Sequence, residues 1–254
     1  MKIKEFKKDN LQVKVLESAE KLGESAAVFV AAKLGEAISE KGHANLILAT
    51  GASQFQFLEH LQKLAIEWNK INVFHLDEYK DLPESHPASF RKYLKERIIN
   101  NVQPLQTHFL NGDAEDAEAE ALRYEALLKE HPIDIACIGI GENGHIAFND
   151  PPVADFNDPK LVKIVELDEA CRKQQLGEGW FPTFDDVPTH AITLTITAIM
   201  GCKTISCVVP DERKAEAVYN TLNAEISTAC PATILRQHPD TVLYLDKGSA
   251  SKLS

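Results

Sequence analysis

The sequence lacks any apolar run that approaches the roughly 20 residues needed to cross a bilayer, so we expect no membrane partner. Basic residues are in deficit, since 27 Lys and Arg stand against 38 Asp and Glu, a net charge of −11. That balance argues against a nucleic-acid-binding surface but is compatible with a local basic pocket for a small anion. The N-terminal residues carry charges without an apolar core, and we therefore expect no signal peptide and a cytoplasmic protein.

Cysteines are few and show no metal-binding pattern. The five cysteines include no C-x-x-C pair and no Cys/His cluster with zinc-site spacing. Cys137, Cys202 and Cys207 lie in or beside apolar runs, where a free thiol usually serves as a small buried hydrophobe. A reducing compartment without a structural metal is the simplest interpretation.

No repeat, low-complexity tract or Gly/Ser/Pro-rich linker divides the chain, which favours a single domain over residues 1–254. Strand-like apolar runs alternate with amphipathic helical patterns. The predicted strands are 45–50, 71–79, 134–140, 203–210 and 241–246, and the predicted helices are 53–68, 88–99, 115–130 and 211–222. This alternation indicates an α/β fold, a three-layer, Rossmann-like and mostly parallel sheet with helices on both faces.

In such open sheets, ligands bind beyond the carboxyl ends of the strands. Four of the predicted strands run into polar or glycine-rich segments at that edge. These segments are Thr50 to Ser53, Asp77 to Tyr79, Gly139 to His145 and Asp211 to Lys214. Because the segments are far apart in sequence but share one edge of the sheet, we expect them to form one site.

The segment Gly139 to Asp150 contains three glycines followed by a histidine and a carboxylate. Glycine lets the backbone turn sharply and approach a ligand closely. The first six residues also match the G-x-G-x-x-G dinucleotide-binding fingerprint, which requires a long helix after its third glycine. Pro151 and Pro152 end any such helix within two turns, because proline lacks an amide hydrogen and clashes with the preceding turn. We therefore interpret the segment as a catalytic loop and not as a nicotinamide site.

His145 is the candidate for proton transfer in this loop, since histidine titrates near neutral pH. Asn143 and Asp150 lie close enough in sequence to fix the tautomer of its imidazole and tune its basicity. The alternative is a structural histidine that only supports the loop. The position of His145 in a glycine-rich segment at a strand end favours catalysis.

Thr50, Gly51, Ala52 and Ser53 lie between a predicted strand and a predicted helix. A turn of small residues there exposes amides at the helix N-terminus, which favour anions. The alternative is an ordinary turn in which Ser53 caps the helix. Lys214 lies in the first turn of another predicted helix, where the dipole disfavours a cation. A bound anion would account for Lys214, although most such lysines are simply solvated.

Asp77 stands at the end of the second predicted strand. Side chains alternate between the two faces of a strand, so Asp77 shares a face with His75 and Tyr79, and Glu78 points the other way. We therefore expect a single carboxylate at the site and not an acid pair. The alternative role for Asp77 is capping of a nearby backbone amide.

Together these segments resemble the glucosamine-6-phosphate deaminase/isomerase family, which is related to the 6-phosphogluconolactonases. The matching stretches come in the family's order and cover most of the chain from about residue 45 to 246. They are Leu48 to Ser53, Leu76 to Tyr79, Leu82-Pro83, His86 to Ser89, Gly139 to Pro151, Cys230 to Ala232 and His238-Pro239. The lactonases share the glycine-histidine element but usually continue with a Thr-Ala-Ser-Leu-type run, where this chain has Ile146 to Asn149.

The resemblance implies ring opening, a proton shift and hydrolysis on a 2-amino-2-deoxy sugar 6-phosphate, without a redox cofactor or metal. His145 would carry the proton that opens the pyranose ring, and Asp77 would move a proton from C2 to C1. The C2 imine is then hydrolysed to a ketose 6-phosphate, such as fructose 6-phosphate, with release of ammonia. The substrate and its phosphate would be held by Thr50 to Ser53, Gly144, Arg172 and Lys214.

Three departures from the family pattern concern these residues. Asn143 replaces the aspartate that many members carry, and Asp150 replaces the usual glutamate after Phe-Asn. Members commonly carry two arginines about five residues apart after the loop, the second of which contacts phosphate. Arg172 fills the first position, but Glu178 lies near the place of the second. The protein could therefore bind phosphate through other residues, or act on a different amino sugar such as the galactosamine epimer.

The sequence thus predicts an amino-sugar 6-phosphate deaminase/isomerase with a small-molecule partner. Two alternatives are a 6-phosphogluconolactonase-type sugar-phosphate hydrolase on the same fold and a catalytically weak sugar-phosphate sensor. Asp77 and His145 argue against the sensor, because a pure sensor needs no base beside an acid. The family's allosteric residues are poorly matched around Asn157 to Lys163, so allosteric activation is not expected. The sequence is compatible with a homo-oligomer.

Overall fold

The computed structural model describes residues 2–253. Its strands are β1 Lys2–Lys8, β2 Leu11–Leu16, β3 Ala44–Leu48, β4 Ile71–His75, β5 Asp77–Tyr79, β6 Gln106–Thr107, β7 Ile135–Ile138, β8 Val162–Glu166, β9 His190–Leu194, β10 Thr204–Val209 and β11 Thr241–Leu245. Its α-helices are α1 Ala19–Lys41, α2 Phe55–Leu61, α3 Phe90–Leu94, α4 Asn100–Val102, α5 Ala117–Glu130, α6 Glu169–Gly177, α7 Ile196–Met200 and α8 Ala215–Asn223. Short 3-10 helices cover Ala52–Gln54, Trp68–Lys70, Glu212–Lys214 and Pro231–Gln237, and a π-helical turn covers Lys95–Ile99.

The main sheet has the strand order β1-β2-β11-β10-β7-β3-β4-β6. Its neighbouring strands run parallel, except that β1 and β2 form an antiparallel hairpin at one edge. Strands β3, β4, β7, β10 and β11 are buried along their whole length, as expected for strands covered on both faces. A second sheet is antiparallel and has the order β5-β9-β8.

Helices cover both faces of the main sheet. On one face, Leu34 of α1 packs in the same apolar cluster as Leu46 of β3. On the other face, Tyr124 of α5 and Val218 of α8 share a second cluster with Ile47, the next residue of β3. Successive strand side chains therefore enter opposite layers, which is the period-two pattern of a strand buried on both sides. The prediction of a three-layer, mostly parallel α/β fold is confirmed.

Some elements were not predicted from the sequence. Helix α1 begins after Ser18, whose side chain accepts a hydrogen bond from the Lys21 backbone N–H at 3.3 Å. It ends at Gly42, which adopts φ 82°, a left-handed conformation that glycine reaches without strain. The hairpin of β1 and β2 and the second sheet were likewise absent from the prediction.

The predicted strand 71–79 is wrong as a single element. Strand β4 ends at His75, and β5 belongs to the second sheet, where Asp77 pairs with Thr193 of β9. Leu76 connects the two sheets. Both halves are buried, so their hydrophobicity gives no sign of the break. The predicted helices also differ from the structure: α2 ends at Leu61, and the helix predicted over 88–99 contains a π-helical turn.

A tyrosine from α5 fixes the end of β4. The Tyr124 hydroxyl accepts a hydrogen bond from the His75 N–H at 2.9 Å and lies 3.1 Å from the carbonyl oxygens of His75 and His108. The imidazole of His75 accepts a hydrogen bond from the Leu110 N–H at Nε2, at 2.7 Å. Burial, assisted by the charge of Arg91, lowers the pKa of His75 to about 3, so this ring stays a neutral acceptor. The backbone immediately before Asp77 is therefore held in one position.

No helix within residues 2–253 combines the length and the apolar character that a membrane crossing requires.

Tyr124→Phe should lower the free energy of unfolding by about 1–3 kcal/mol, because the substitution leaves the buried His75 N–H without an acceptor. Urea unfolding at pH 7 measures the change. Tyr219→Phe is the matched control, since that side chain is 43% exposed and should change stability little. Equal stabilities of the Tyr124→Phe variant and the wild type would contradict the bonding role of this hydroxyl.

Candidate active site

A cavity lies at the carboxyl ends of β3, β4, β7 and β10, and its volume of about 580 Å³ includes space that is open to solvent. The strand ends meet there because parallel strands all point to the same edge of the sheet. Of the residues proposed from the sequence, the cavity is lined by Thr50, Gly51, Ala52, Ser53, Asp77, His145 and Lys214. Asn143, Gly144, Asp150 and Arg172 do not line it.

Two glycines in the loop after β7 allow close packing around the histidine. A methyl group on Gly141 would lie only 2.2 Å from the His145 ring, so any larger residue would displace the imidazole. Gly144 adopts φ 85°, and a methyl group there would lie 2.6 Å from Cys230 Sγ. The turn is closed by hydrogen bonds from Gly144 N–H to the Gly141 carbonyl and from Gly141 N–H to the His145 carbonyl, at 3.0 and 2.9 Å. Gly144 therefore affects the shape of the loop without lining the cavity.

Asn143 and Asp150 hold His145 from the side away from the cavity. Nδ1 of His145 lies 2.8 Å from Asp150 Oδ1, although its hydrogen is not well aligned with the oxygen. Asn143 donates from Nδ2 to the same Asp150 oxygen at 2.9 Å and accepts from the His145 backbone N–H at 3.0 Å. Burial opposes ionisation of Asp150, but its contacts with His145 and Asn143 hold its pKa below the ordinary value. An ionised Asp150 orients Nδ1, which leaves Nε2 for proton transfer.

Asp77 and Glu78 have opposite surroundings. Asp77 lines the cavity, whereas Glu78 is fully buried behind it and accepts hydrogen bonds from Ser89 and from the N–H groups of Phe90 and Arg91. Burial, with a contribution from the charge of Glu78, raises the pKa of Asp77 to about 8. A carboxyl group with such a pKa can both accept and return a proton near neutral pH.

The other end of the cavity has features of an anion site. Gly51 adopts φ 93°, and its carbonyl accepts a hydrogen bond from the Tyr93 hydroxyl at 2.8 Å. This contact fixes the turn that leads into the 3-10 helix Ala52–Gln54. Lys214 enters from the loop after β10 and is only 5% exposed. Burial lowers its pKa, and the charge of Glu178 opposes that shift.

Lys214 has no ionic partner in the described part of the chain. Among residues 2–253, no carboxylate oxygen lies within 4.0 Å of its Nζ. Its neighbour Arg213 is half exposed and pairs with Asp211 at 3.0 Å. A buried, unpaired ammonium group that lines a cavity is an attractive partner for an anionic ligand.

Arg172 lies outside the site. Its guanidinium donates to the carbonyl oxygens of Phe184 and Val187 at 3.0 and 2.8 Å and stacks over the Phe184 ring at 4.2 Å. A single guanidinium nitrogen, Nη2, donates to both carbonyl groups of the segment that follows α6, so the side chain is directed away from the cavity. The structure therefore does not bring Arg172 to the proposed phosphate site.

The site residues predicted from the sequence did not include three polar residues that line the cavity, Gln174, Gln175 and Glu178. The side-chain oxygen of Gln174 accepts a hydrogen bond from the Glu142 N–H at 2.9 Å, and that of Gln175 accepts one from the Tyr79 hydroxyl at 2.8 Å. Both contacts tie α6 to the site. The only sequence signal was the place of Glu178 near an expected arginine.

One group of side chains could hold a metal ion. The donor atoms of His145, Asp150 and Cys171 all lie within 4.8 Å of one another, a grouping that the sequence spacing did not reveal. An imidazole, a carboxylate and a thiol are ligands that suit zinc. The thiol of Cys171 is protonated, because burial and the nearby Asp150 charge raise its pKa well above the ordinary value. The expectation that the protein needs no metal stays a prediction.

The chain is similar to known glucosamine-6-phosphate deaminases in both sequence and structure. Residues 17–244 match the family of glucosamine-6-phosphate isomerases/6-phosphogluconolactonase. The chain is 36% identical over 244 residues to glucosamine-6-phosphate deaminases of Bacillus cytotoxicus and Bacillus cereus, which covers 96% of this chain and 90% of each relative. Its structure resembles that of a monomeric glucosamine-6-phosphate deaminase with a TM-score of 0.86 and 33% identity, over 94% of this chain and 98% of the other.

A 6-phosphogluconolactonase from Shewanella baltica is similar with a TM-score of 0.77, over 92% of this chain and 96% of the other. Its sequence identity of 20% shows a shared fold alone. The family resemblance inferred from the motifs is confirmed by the match over residues 17–244 and by the 36% identity to the deaminases. The chain belongs to the glucosamine-6-phosphate isomerase/6-phosphogluconolactonase family.

Proposed function

We propose that the protein is an amino-sugar 6-phosphate deaminase/isomerase that converts glucosamine 6-phosphate, or an epimer, to a ketose 6-phosphate and ammonia. One observation carries the proposal: a single cavity combines Asp77, His145 and the unpaired Lys214. The relatives named above as deaminases support it. We also propose a single domain, because one apolar cluster includes residues from β2 through β11.

The proposed reaction begins with opening of the pyranose ring. His145 moves the proton from the O1 hydroxyl to the ring oxygen, which gives the open-chain aldehyde. The Asp77 carboxylate then removes the proton at C2 and returns it to C1, while one proton of the amino group passes to O1, so that a C1 hydroxyl and a C2 imine form. Water adds to C2, ammonia leaves and a ketose 6-phosphate remains. Lys214 and the turn from Thr50 to Ser53 hold the phosphate during these steps.

We propose that these steps, which are proton transfers and a hydrolysis, proceed without a redox cofactor or a metal ion. We propose the cytoplasm as the location of the protein, since its substrate is a phosphorylated sugar. Of the solved structures compared above, the glucosamine-6-phosphate deaminase is monomeric.

An ammonia-release assay tests the proposal directly. Glucosamine, galactosamine and mannosamine 6-phosphates are compared, and hydrolysis of 6-phosphogluconolactone is measured alongside. Release of ammonia from at least one amino sugar with formation of the ketose phosphate is expected. Lactone hydrolysis without ammonia release would favour the lactonase alternative, and no turnover of any substrate would favour the sensor.

Asp77→Asn should preserve substrate binding and reduce kcat by about 10²–10⁴-fold, because an amide cannot accept the C2 proton. It should also stabilise the fold at alkaline pH. The native carboxyl holds its proton up to about pH 8, whereas the ordinary value is 3.8. Between these two pH values the native state therefore binds more protons than the unfolded state. The free energy of unfolding of the wild type falls as pH rises through that window.

Asp77→Asn removes the titrating carboxyl group and with it this loss of stability. The free energy of unfolding should therefore increase by about 1–4 kcal/mol at pH 7.5 and little at pH 4. Urea unfolding at the two pH values measures the gain, and ammonia release measures turnover. Asp81→Asn, at a carboxylate that is 72% exposed, is the control and should change neither quantity. Near wild-type turnover of Asp77→Asn would exclude Asp77 as the base.

His145→Gln should slow the reaction of the cyclic substrate far more than that of an analogue that cannot cyclise. The proton shift at C2 depends on Asp77, so it should persist once the aldehyde is supplied. The ratio of kcat/KM for wild type and variant on the two substrates measures the difference. Equal losses on both substrates would contradict a role confined to ring opening.

Lys214→Ala should raise KM for the phosphorylated sugar by about 10- to 150-fold with little change in kcat. A phosphate contact is made equally in ground and transition states, and a charge-assisted bond contributes about 1.5–3 kcal/mol. Arg213→Ala is the matched control, because this neighbouring cation is 48% exposed and already paired with Asp211. Its effect on KM should be several-fold smaller. An unchanged KM in Lys214→Ala would remove Lys214 from the phosphate site.

A further inference from the structure

Glu178 places a carboxylate at the end of the cavity where we propose that phosphate binds. Its Oε1 accepts a hydrogen bond from Gln174 Nε2 at 2.9 Å, and its Oε2 accepts one from Trp180 Nε1 at 3.2 Å. A methyl group on Gly51 would lie 3.9 Å from that same Oε2. Two neutral donors therefore hold the carboxylate in front of the turn that we propose to bind phosphate.

The charges around Glu178 do not neutralise it by direct contact. Lys214 and Arg213 approach from the loop after β10, but no cation within residues 2–253 lies within 4.0 Å of the Glu178 oxygens. The other titratable groups around this region are Tyr79 of β5, Tyr93 of α3, Glu142 of the glycine loop and, on the side of Arg213, Asp211 and Asp246. A phosphate at this place would thus meet one unpaired ammonium group and one carboxylate.

We propose that the cavity binds the substrate's phosphate together with one proton, which is shared between the phosphate and Glu178. This inference rests on the proposed function, since it concerns the phosphate of that substrate. A phosphate monoester releases its second proton near pH 6, and a glutamic acid releases its proton near pH 4.3, so both are ionised in free solution at pH 8. Two anionic groups brought into contact hold one proton between them.

The proton comes from solvent, and no covalent bond of the substrate changes when it binds. Glu178 is therefore a specificity-determining residue: it selects the anion in its monoprotonated form. The consequence is a KM for the phosphorylated sugar that rises by about tenfold per pH unit above pH 7, because each bound substrate must take up one proton. The contact is the same in the ground and transition states, so kcat should not follow this dependence.

Calorimetric titration with fructose 6-phosphate, the proposed product, measures the uptake of protons on binding without any turnover. Titrations at pH 8 in two buffers with different heats of ionisation give the number of protons taken up. We expect about one proton for the wild type and about zero for Glu178→Gln, which keeps the shape of the side chain and removes its charge. The variant should also bind fructose 6-phosphate at least tenfold more tightly at pH 8.

Glu169→Gln is the matched control, because it removes an equal charge from the solvent-facing start of α6, where Glu169 is 69% exposed. It should retain the wild-type proton uptake. Binding to the wild type without proton uptake, or equal uptake by wild type and Glu178→Gln, would overturn the inference and leave the proposed function intact. Failure of fructose 6-phosphate to bind, together with absence of ammonia release, would overturn the proposed function itself.

Discussion

The geometry of the site depends on a buried carboxylate that does not face the cavity. Glu78 accepts hydrogen bonds from Ser89 Oγ and from the backbone N–H groups of Phe90 and Arg91, at 2.9, 3.0 and 2.9 Å. These groups stand at the start of α3, where backbone N–H groups lack acceptors within the helix. The Arg91 guanidinium adds a charged contact at 3.3 Å. Glu78 thereby fastens β5 to α3 and fixes the backbone that carries Asp77.

That arrangement explains why adjacent acids differ in chemistry. Burial raises the pKa of Glu78, but its hydrogen-bond donors oppose the rise. The Asp77 carboxylate is also buried, yet it accepts no hydrogen bond from any of residues 2–253, so nothing offsets its loss of solvation. The charge of Glu78 raises the pKa of Asp77 further. The anchor that positions the proposed base thus also increases its affinity for a proton.

The sequence was sufficient to predict the layers, the parallel strands and the edge where the strand ends meet, because strand burial on both faces leaves a continuous apolar run. It was not sufficient to predict the change of sheet at Leu76, since the residues on both sides are equally buried. The destination of Arg172 depends on carbonyl groups at 184 and 187 that only the folded chain brings within reach. In the sequence, Glu178 differs from the family pattern, which has an arginine near this position. Its place in the cavity depends on the course of α6, which the sequence does not reveal.

Residue identity alone could not have assigned roles to the acids at this site, because their surroundings distinguish them. Asp77 meets no hydrogen-bond donor from residues 2–253 and retains its proton to about pH 8. Asp150 is also buried, but the adjacent imidazole and amide favour its ionised form, which suits a residue that orients His145. Glu178 meets two neutral donors at the end of the cavity that also contains Lys214. A carboxyl group can therefore act as a base, orient a histidine or limit the charge of a ligand, according to the donors within 3 or 4 Å of it.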